Sequence, residues 1–95
     1  MIDTDPGDVL ADLNAALLLD PGNDDMNYCT AAYGQLERKG DGWGVGIAAG
    51  GHPPPILLRA GGDIETVTTE GTILGCFPDQ AYPAVSVDLG PGDTL

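Results

Sequence analysis

The chain's one histidine, His52, stands in the stretch AAGGHPPP (residues 48–55), between two glycines and three prolines. An imidazole in that setting has three chemical uses: general base, metal ligand or phosphate contact. Each needs partners. No cysteine or second histidine accompanies it, so His52 cannot assemble a transition-metal site from its own surroundings. No serine lies nearby in sequence to suggest a nucleophilic triad, although sequence distance alone does not exclude one. The glycines before it allow positive φ, and the prolines after it fix an extended path. The expectation is a rigid turn between two strands, with the imidazole hydrogen-bonded to backbone.

The other chemistry-bearing residues are aspartates, cysteines and one glycine pattern. Asp3, Asp5 and Asp8, and then Asp20, Asp24 and Asp25, are clusters of the kind that hard cations use when several carboxylates converge. Residues 20–25, DPGNDD, do not have the spacing of an EF-hand loop and no glutamate follows at its twelfth position. Helix capping and a solvated loop account for both clusters, with a small calcium site at Asp20, Asp24 and Asp25 as a weaker alternative. Gly44-Val45-Gly46-Ile47-Ala48-Ala49 formally fits the dinucleotide pattern G-x-G-x-x-G/A. That pattern needs a helix N-terminus to receive a pyrophosphate, and the Gly50-Gly51-His52-Pro53 that follows would end such a helix within a turn, so it is rejected. Cys29 and Cys76 form no C-x-x-C and read as reduced core thiols, which makes zinc improbable.

The elements that position these groups must fit in 95 residues, enough for one domain or part of one. Fifteen acidic against three basic residues give a net charge of −12, which repels phosphate backbones and anionic membranes. Neither nucleic acid nor membrane is therefore an expected partner. No apolar run approaches the ~20 residues of a membrane span, and no basic n-region precedes an apolar stretch at the start; a cytoplasmic location is expected.

A helix is expected first. Asp5 serves as N-cap, Pro6 sits where a missing N–H costs nothing, and Asp8 puts negative charge in the first turn. Leu10, Leu13 and Leu17, with Val9 and Ala16, form an apolar face, and Asp20-Pro21-Gly22 ends the helix. Residues 26–36 read as a strand buried on both faces. A hairpin loop at 38–42 leads to a strand with Trp43, Val45, Ile47 and Ala49 on one face and Gly44, Gly46 and Ala48 on the other. The glycine–alanine face lets another element approach the backbone closely. Residues 56–59 and 64–68 form a hairpin turning at Gly61-Gly62-Asp63. Residues 71–83 read as an irregular connection, and Val85, Val87 and Leu89 mark a last strand before the strong turn signal Gly90-Pro91-Gly92-Asp93, which calls for a strand beyond it. One helix and then hairpin-linked strands describe an α+β fold with a mostly antiparallel sheet.

In this order the pieces resemble the SpoIIE/RsbU-type PP2C-like phosphatases, from about Asp5 to Leu95. PGDVLADLNAALL is similar to that family's P-x-x-x-L-x-x-L-N-x-x-L through Pro6, Leu10, Leu13, Asn14 and Leu17. YCTAAYGQLE resembles F-V-T-A-x-Y-x-x-L-D, and AAGGHPPPILLRAGG resembles the A-G-H-P-P-P-L-L strand–turn–strand signature. The final EGTILGCFPDQAYPAVSVDLGPGDTL parallels a G-x-P-L-G segment and an L-x-P-G-D-x-L turn. The resemblance implies an αββα sandwich and a protein serine/threonine phosphatase acting on an anti-sigma-factor antagonist type of phosphoprotein. It also implies a pair of Mn²⁺ or Mg²⁺ ions that lower the pKa of a bound water for attack on phosphorus.

The family's ligands sit in G-D-x-x-D, in G-D-x-x-G-H/K-G and in T-D-G-x-x-E beyond the L-x-P-G-D turn, with a further late aspartate; none of these occurs here. No catalytic, cofactor-binding or metal-binding role is therefore transferred to any residue. Asp93 belongs to the turn, and His52 belongs to a strand-to-strand turn that is not a ligand motif. The expectation is one partial domain over residues 1–95: a central-to-C-terminal portion that is inactive by itself, binds no metal of its own and self-associates through exposed edges. The rival reading is a non-catalytic interaction module with a degenerate phosphatase fold.

Overall fold

The computed structural model describes residues 5–20 and 28–95. Within them the order is α1 (Pro6–Leu19), β1 (Ala31–Lys39), β2 (Gly42–Gly50), β3 (Ile56–Leu58), β4 (Ile64–Thr66) and β5 (Val85–Leu89). The α+β class is as expected: one helix, then strands that all pair antiparallel. They form two sheets, β1-β2-β5 and β3-β4.

Helix α1 starts where its capping chemistry dictates. The Asp5 carboxylate accepts the Gly7 N–H at 2.7 Å, Pro6 occupies the first turn and Asp8 adds its charge there. The buried face, however, is Pro6, Gly7, Leu10 and Asn14. Leu13 is 40% exposed and Ala16 is exposed, so the expected leucine stripe is rotated toward Asn14. Asn14 repeats Leu10 at i+4, and its two hydrogen bonds to the distant Gly75 and Phe77 backbone outweigh the apolar pull of Leu13. Asp3, Asp24 and Asp25, and the stop signal at Pro21 and Gly22, lie outside the described residues.

The strand expected at 26–36 is found at Ala31–Lys39, with Met26 and Asn27 outside the described residues. It is not buried on both faces. Among the described residues it pairs with β2 alone, half-buried residues alternate with exposed ones, and its last four are exposed, as suits a sheet edge. The hairpin is also tighter than 38–42. Arg38, Lys39 and Gly42 are already paired, and Gly40 at φ 57 takes the left-handed position in a two-residue turn with Asp41.

Strand β2 is the centre of the molecule, and its two faces do what their side chains permit. The glycine–alanine face receives α1 at Gly46 and Ala48, where a side chain at Gly46 would sit 3.4 Å from Pro6 Cγ, while Gly44 lies under the Lys39 side chain. Ala48 packs there with Leu10, Leu74 and Tyr82, flanked by Ala31 and Tyr33 of β1. The opposite face carries Val45 and Ile47 against Leu57 of β3 and Val67 just past the end of β4, with Val85, Val87 and Leu89 closing the side. The layers therefore run helix, three-stranded sheet, two-stranded sheet. Burying a leucine such as Leu57 or Leu74 contributes about 2–3 kcal/mol relative to leaving it exposed. Residues 71–83 form an irregular strap along the helix side, tied by the Cys29–Leu74 bridge, in both directions at 2.9 and 3.1 Å. Among the described residues no helix is long and apolar enough to cross a membrane.

Candidate functional site

The AAGGHPPP stretch lies at the end of β2, where the chain leaves the first sheet for β3. Gly51 turns the chain at φ 64 and donates its N–H to Gly71 O at 2.9 Å, pinning the corner to the strap. His52 is exposed, and its Nδ1 meets Thr30 Oγ1 at 3.1 Å. The imidazole partner is thus a hydroxyl just ahead of β1 and not the backbone expected from sequence. The difference follows from β1 and β2 being neighbours: Ala31 opposes Gly50, so the residues just beyond that pair come together. Among the described residues no group of three or more His, Cys, Asp or Glu side chains, at His52 or elsewhere, converges to hold a metal ion.

The glycine pattern at residues 44–49 lies wholly inside β2, where there is no helix N-terminus to meet a pyrophosphate. Cys29 is exposed and Cys76 partly buried, both with free thiols, so Cys29 is not the core thiol its sequence context suggested. An open groove of about 480 Å³ runs between the start of α1 and residues 80–84, with Asp5 and Asp8 on one wall and Gln80 and Pro83 on the other. Asp5 is committed to its cap, and the groove presents no cationic side chain to an anion.

The strap is held by a buried amide. Asn14, 2% exposed, donates from Nδ2 to Phe77 O at 2.9 Å and accepts the Gly75 N–H on Oδ1 at 2.8 Å. Further along, Tyr82 is buried with its hydroxyl unpaired among the described residues. Burial first, and then the nearby Cys29 thiol, raises its pKa above the ordinary phenol value, so the neutral form is favoured.

The densest polar constellation is at the 90–93 turn. Asp93 accepts from Gly90 N and Ala60 N, each at 2.8 Å, and from Arg59 Nη1 at 2.9 Å. These bonds, the Gly90 N–H first, hold the Asp93 carboxyl below its ordinary pKa. Arg59 also donates from Nε to Glu65 at 2.7 Å and from Nη1 to Asp88 O at 2.7 Å. Glu65 first and Asp93 next raise the guanidinium pKa further. A carboxylate so occupied is a structural acceptor and not a vacant ligand. Sequence reasoning placed Asp93 correctly in the turn but missed Arg59, Asn14 and Thr30. Arg59 had one legible signal, as the single cation in a hairpin flanked by acidic residues.

A family model described as stage II sporulation protein E (SpoIIE) matches residues 1–95. No curated protein and no solved structure matches the chain significantly.

Proposed function

The chain belongs to the stage II sporulation protein E (SpoIIE) family, and from that premise we propose that residues 1–95 are the helix–sheet–sheet portion of a bacterial, cytoplasmic PP2C-like protein serine/threonine phosphatase domain. The observation that carries this reading is the layering itself. Helix α1 lies on the β1-β2-β5 sheet, which lies on β3-β4, as in three of the four layers of an αββα sandwich. The AAGGHPPP turn, the 67–84 connection and the 90–93 turn are where the described chain passes between its sheets.

The described residues do not fit a two-metal centre. Their carboxylates do not converge, and Asp93 is spent on Arg59 and two backbone N–H groups. No catalytic step is assigned to them. Their role is to build the scaffold, and the Mn²⁺ or Mg²⁺ site of the parent domain draws its ligands from elsewhere. The antiparallel Leu58–Thr94 pairing supports this division of labour. A strand continuing from it would run along β3 toward Pro55, which is where the family's T-D-G motif would be carried. The substrate class, a phosphoserine- or phosphothreonine-bearing antagonist of an anti-sigma factor, rests on the family resemblance.

A non-catalytic interaction module is the second reading, favoured by the absence of a carboxylate cluster among the described residues. The two part company in the protein expressed with its native flanking coding sequence. Mn²⁺-dependent release of phosphate from a phosphoserine protein by that product supports the phosphatase. A folded product inert with Mn²⁺ and Mg²⁺ contradicts it and leaves the interaction module.

A further inference from the structure

The chain leaves β5 in one sheet and reaches Thr94 beside β3 in the other, so residues 90–93 make the passage between layers. At the far side Leu58 and Thr94 exchange both backbone hydrogen bonds, each at 2.8 Å. A single pair does not fix its own register, because a slip of two residues keeps every side chain on its face. The polar groups around the turn make this register unlike its neighbours. Asp93 Oδ1 reaches the Ala60 N–H, while Oδ2 closes the turn on Gly90 N and meets Arg59. The same guanidinium holds Glu65 of β4 and the Asp88 carbonyl of β5. Gly92, at φ 84, brings the turn so near that a side chain there would come within 2.9 Å of Ala60 Cβ. A slip in either direction breaks the Asp93–Ala60 bond and the Arg59 fork together.

We infer that Arg59 and Asp93 are a positioning pair that sets the register of the segment leaving the 90–93 turn, paired to β3 through the Leu58–Thr94 bridge. The pair is built for that use. The Asp93 side chain is 9% exposed and that of Arg59 31%, so the contact is less screened than a surface ion pair. The planar fork serves Glu65 and Asp93 from different nitrogens, which a lysine cannot do. The consequence for catalysis rests on the phosphatase reading: the register decides where a following strand places its side chains along β3. The register itself does not rest on that reading.

The test is NMR on this chain, following amide exchange at Leu58 and Thr94 and the cross-strand contact between them, in Arg59→Met, Arg59→Lys and Asp93→Asn. Arg59→Met is expected to speed exchange of both amides by about tenfold or more, while the Cys29–Leu74 pair keeps its protection. It is also expected to replace the Leu58–Thr94 contact by one from Thr94 to Ile56 or Ala60. Arg59→Lys should recover only part of the protection. Retention of both contact and protection in Arg59→Met overturns the inference. Should that variant fail to fold, unchanged protection in Asp93→Asn overturns it equally. Failure of the phosphatase assay above bears on the proposed function alone.

Discussion

Asn14 Oδ1 accepts the Gly75 N–H at 2.8 Å, joining the middle of α1 to a strap 61 positions away. Its Nδ2 donates to the Phe77 carbonyl, so one side chain satisfies a backbone donor and a backbone acceptor that no sheet reaches. Asn14→Ala leaves both unpaired. The expected loss is about 2–4 kcal/mol in urea unfolding, and Asn14→Leu should recover little of it despite its apolar bulk. An Asn14→Leu protein as stable as the parent would show that packing, not hydrogen bonding, holds the strap.

Tyr82 presents the converse case, a buried hydroxyl with no partner among the described residues. Tyr82→Phe removes it with little change of shape and is expected to raise stability by about 1 kcal/mol. The pH dependence follows from its raised pKa. A group whose folded pKa lies above its unfolded value keeps its contribution below the unfolded pKa, about 10, and loses it as pH rises through the folded pKa. Tyr82→Phe should therefore flatten the alkaline side of a stability–pH curve, read by urea midpoints from pH 8 to 11.

Close approach to β2 is tested at Gly50. An added Cβ would lie 2.7 Å from the Thr72 carbonyl and 2.8 Å from the Tyr82 ring, against Leu74 as well. Backbone cannot yield as a side-chain tip does. Gly50→Ala is expected to cost about 1–3 kcal/mol by calorimetry or denaturant titration. A neutral outcome would mean that the strap is free to move off the sheet.

Asp93 governs the acid side. Its pKa is depressed, first by the Gly90 N–H, then by the Ala60 N–H and Arg59. Its contribution is thus present above the ordinary aspartate value of about 4 and is lost as pH falls through the folded pKa. Asp93→Asn should weaken the acid dependence of stability below about pH 4. An unchanged acid limb would place the dependence on other carboxylates.

Much of this arrangement was legible in the residues. The helix start followed from Asp5-Pro6, and the packing of α1 onto β2 from the small residues Gly46 and Ala48, because capping and close approach are local rules. The turns at Gly40, Gly62 and Gly92 likewise follow from glycine's access to positive φ. What escaped was decided by partners distant in sequence. Asn14 displaced Leu13 from the core because Gly75 and Phe77 needed it. β1 became a half-exposed strand because, among the described residues, β2 alone lies beside it. His52 met Thr30 across a strand pair, and Arg59 collected Glu65, Asp88 and Asp93 across two sheets. Periodicity carries no information on such meetings.

The central claim is that these residues are scaffold, with the metal chemistry of the family's phosphatases supplied elsewhere. Its most direct test is hydrolysis of p-nitrophenyl phosphate by the 95-residue chain across a Mn²⁺ titration, with metal binding followed in parallel. The account predicts no metal-dependent turnover and no stoichiometric Mn²⁺ site. Turnover that saturates with Mn²⁺ and disappears on substituting an aspartate assigned here to a cap or turn would contradict it.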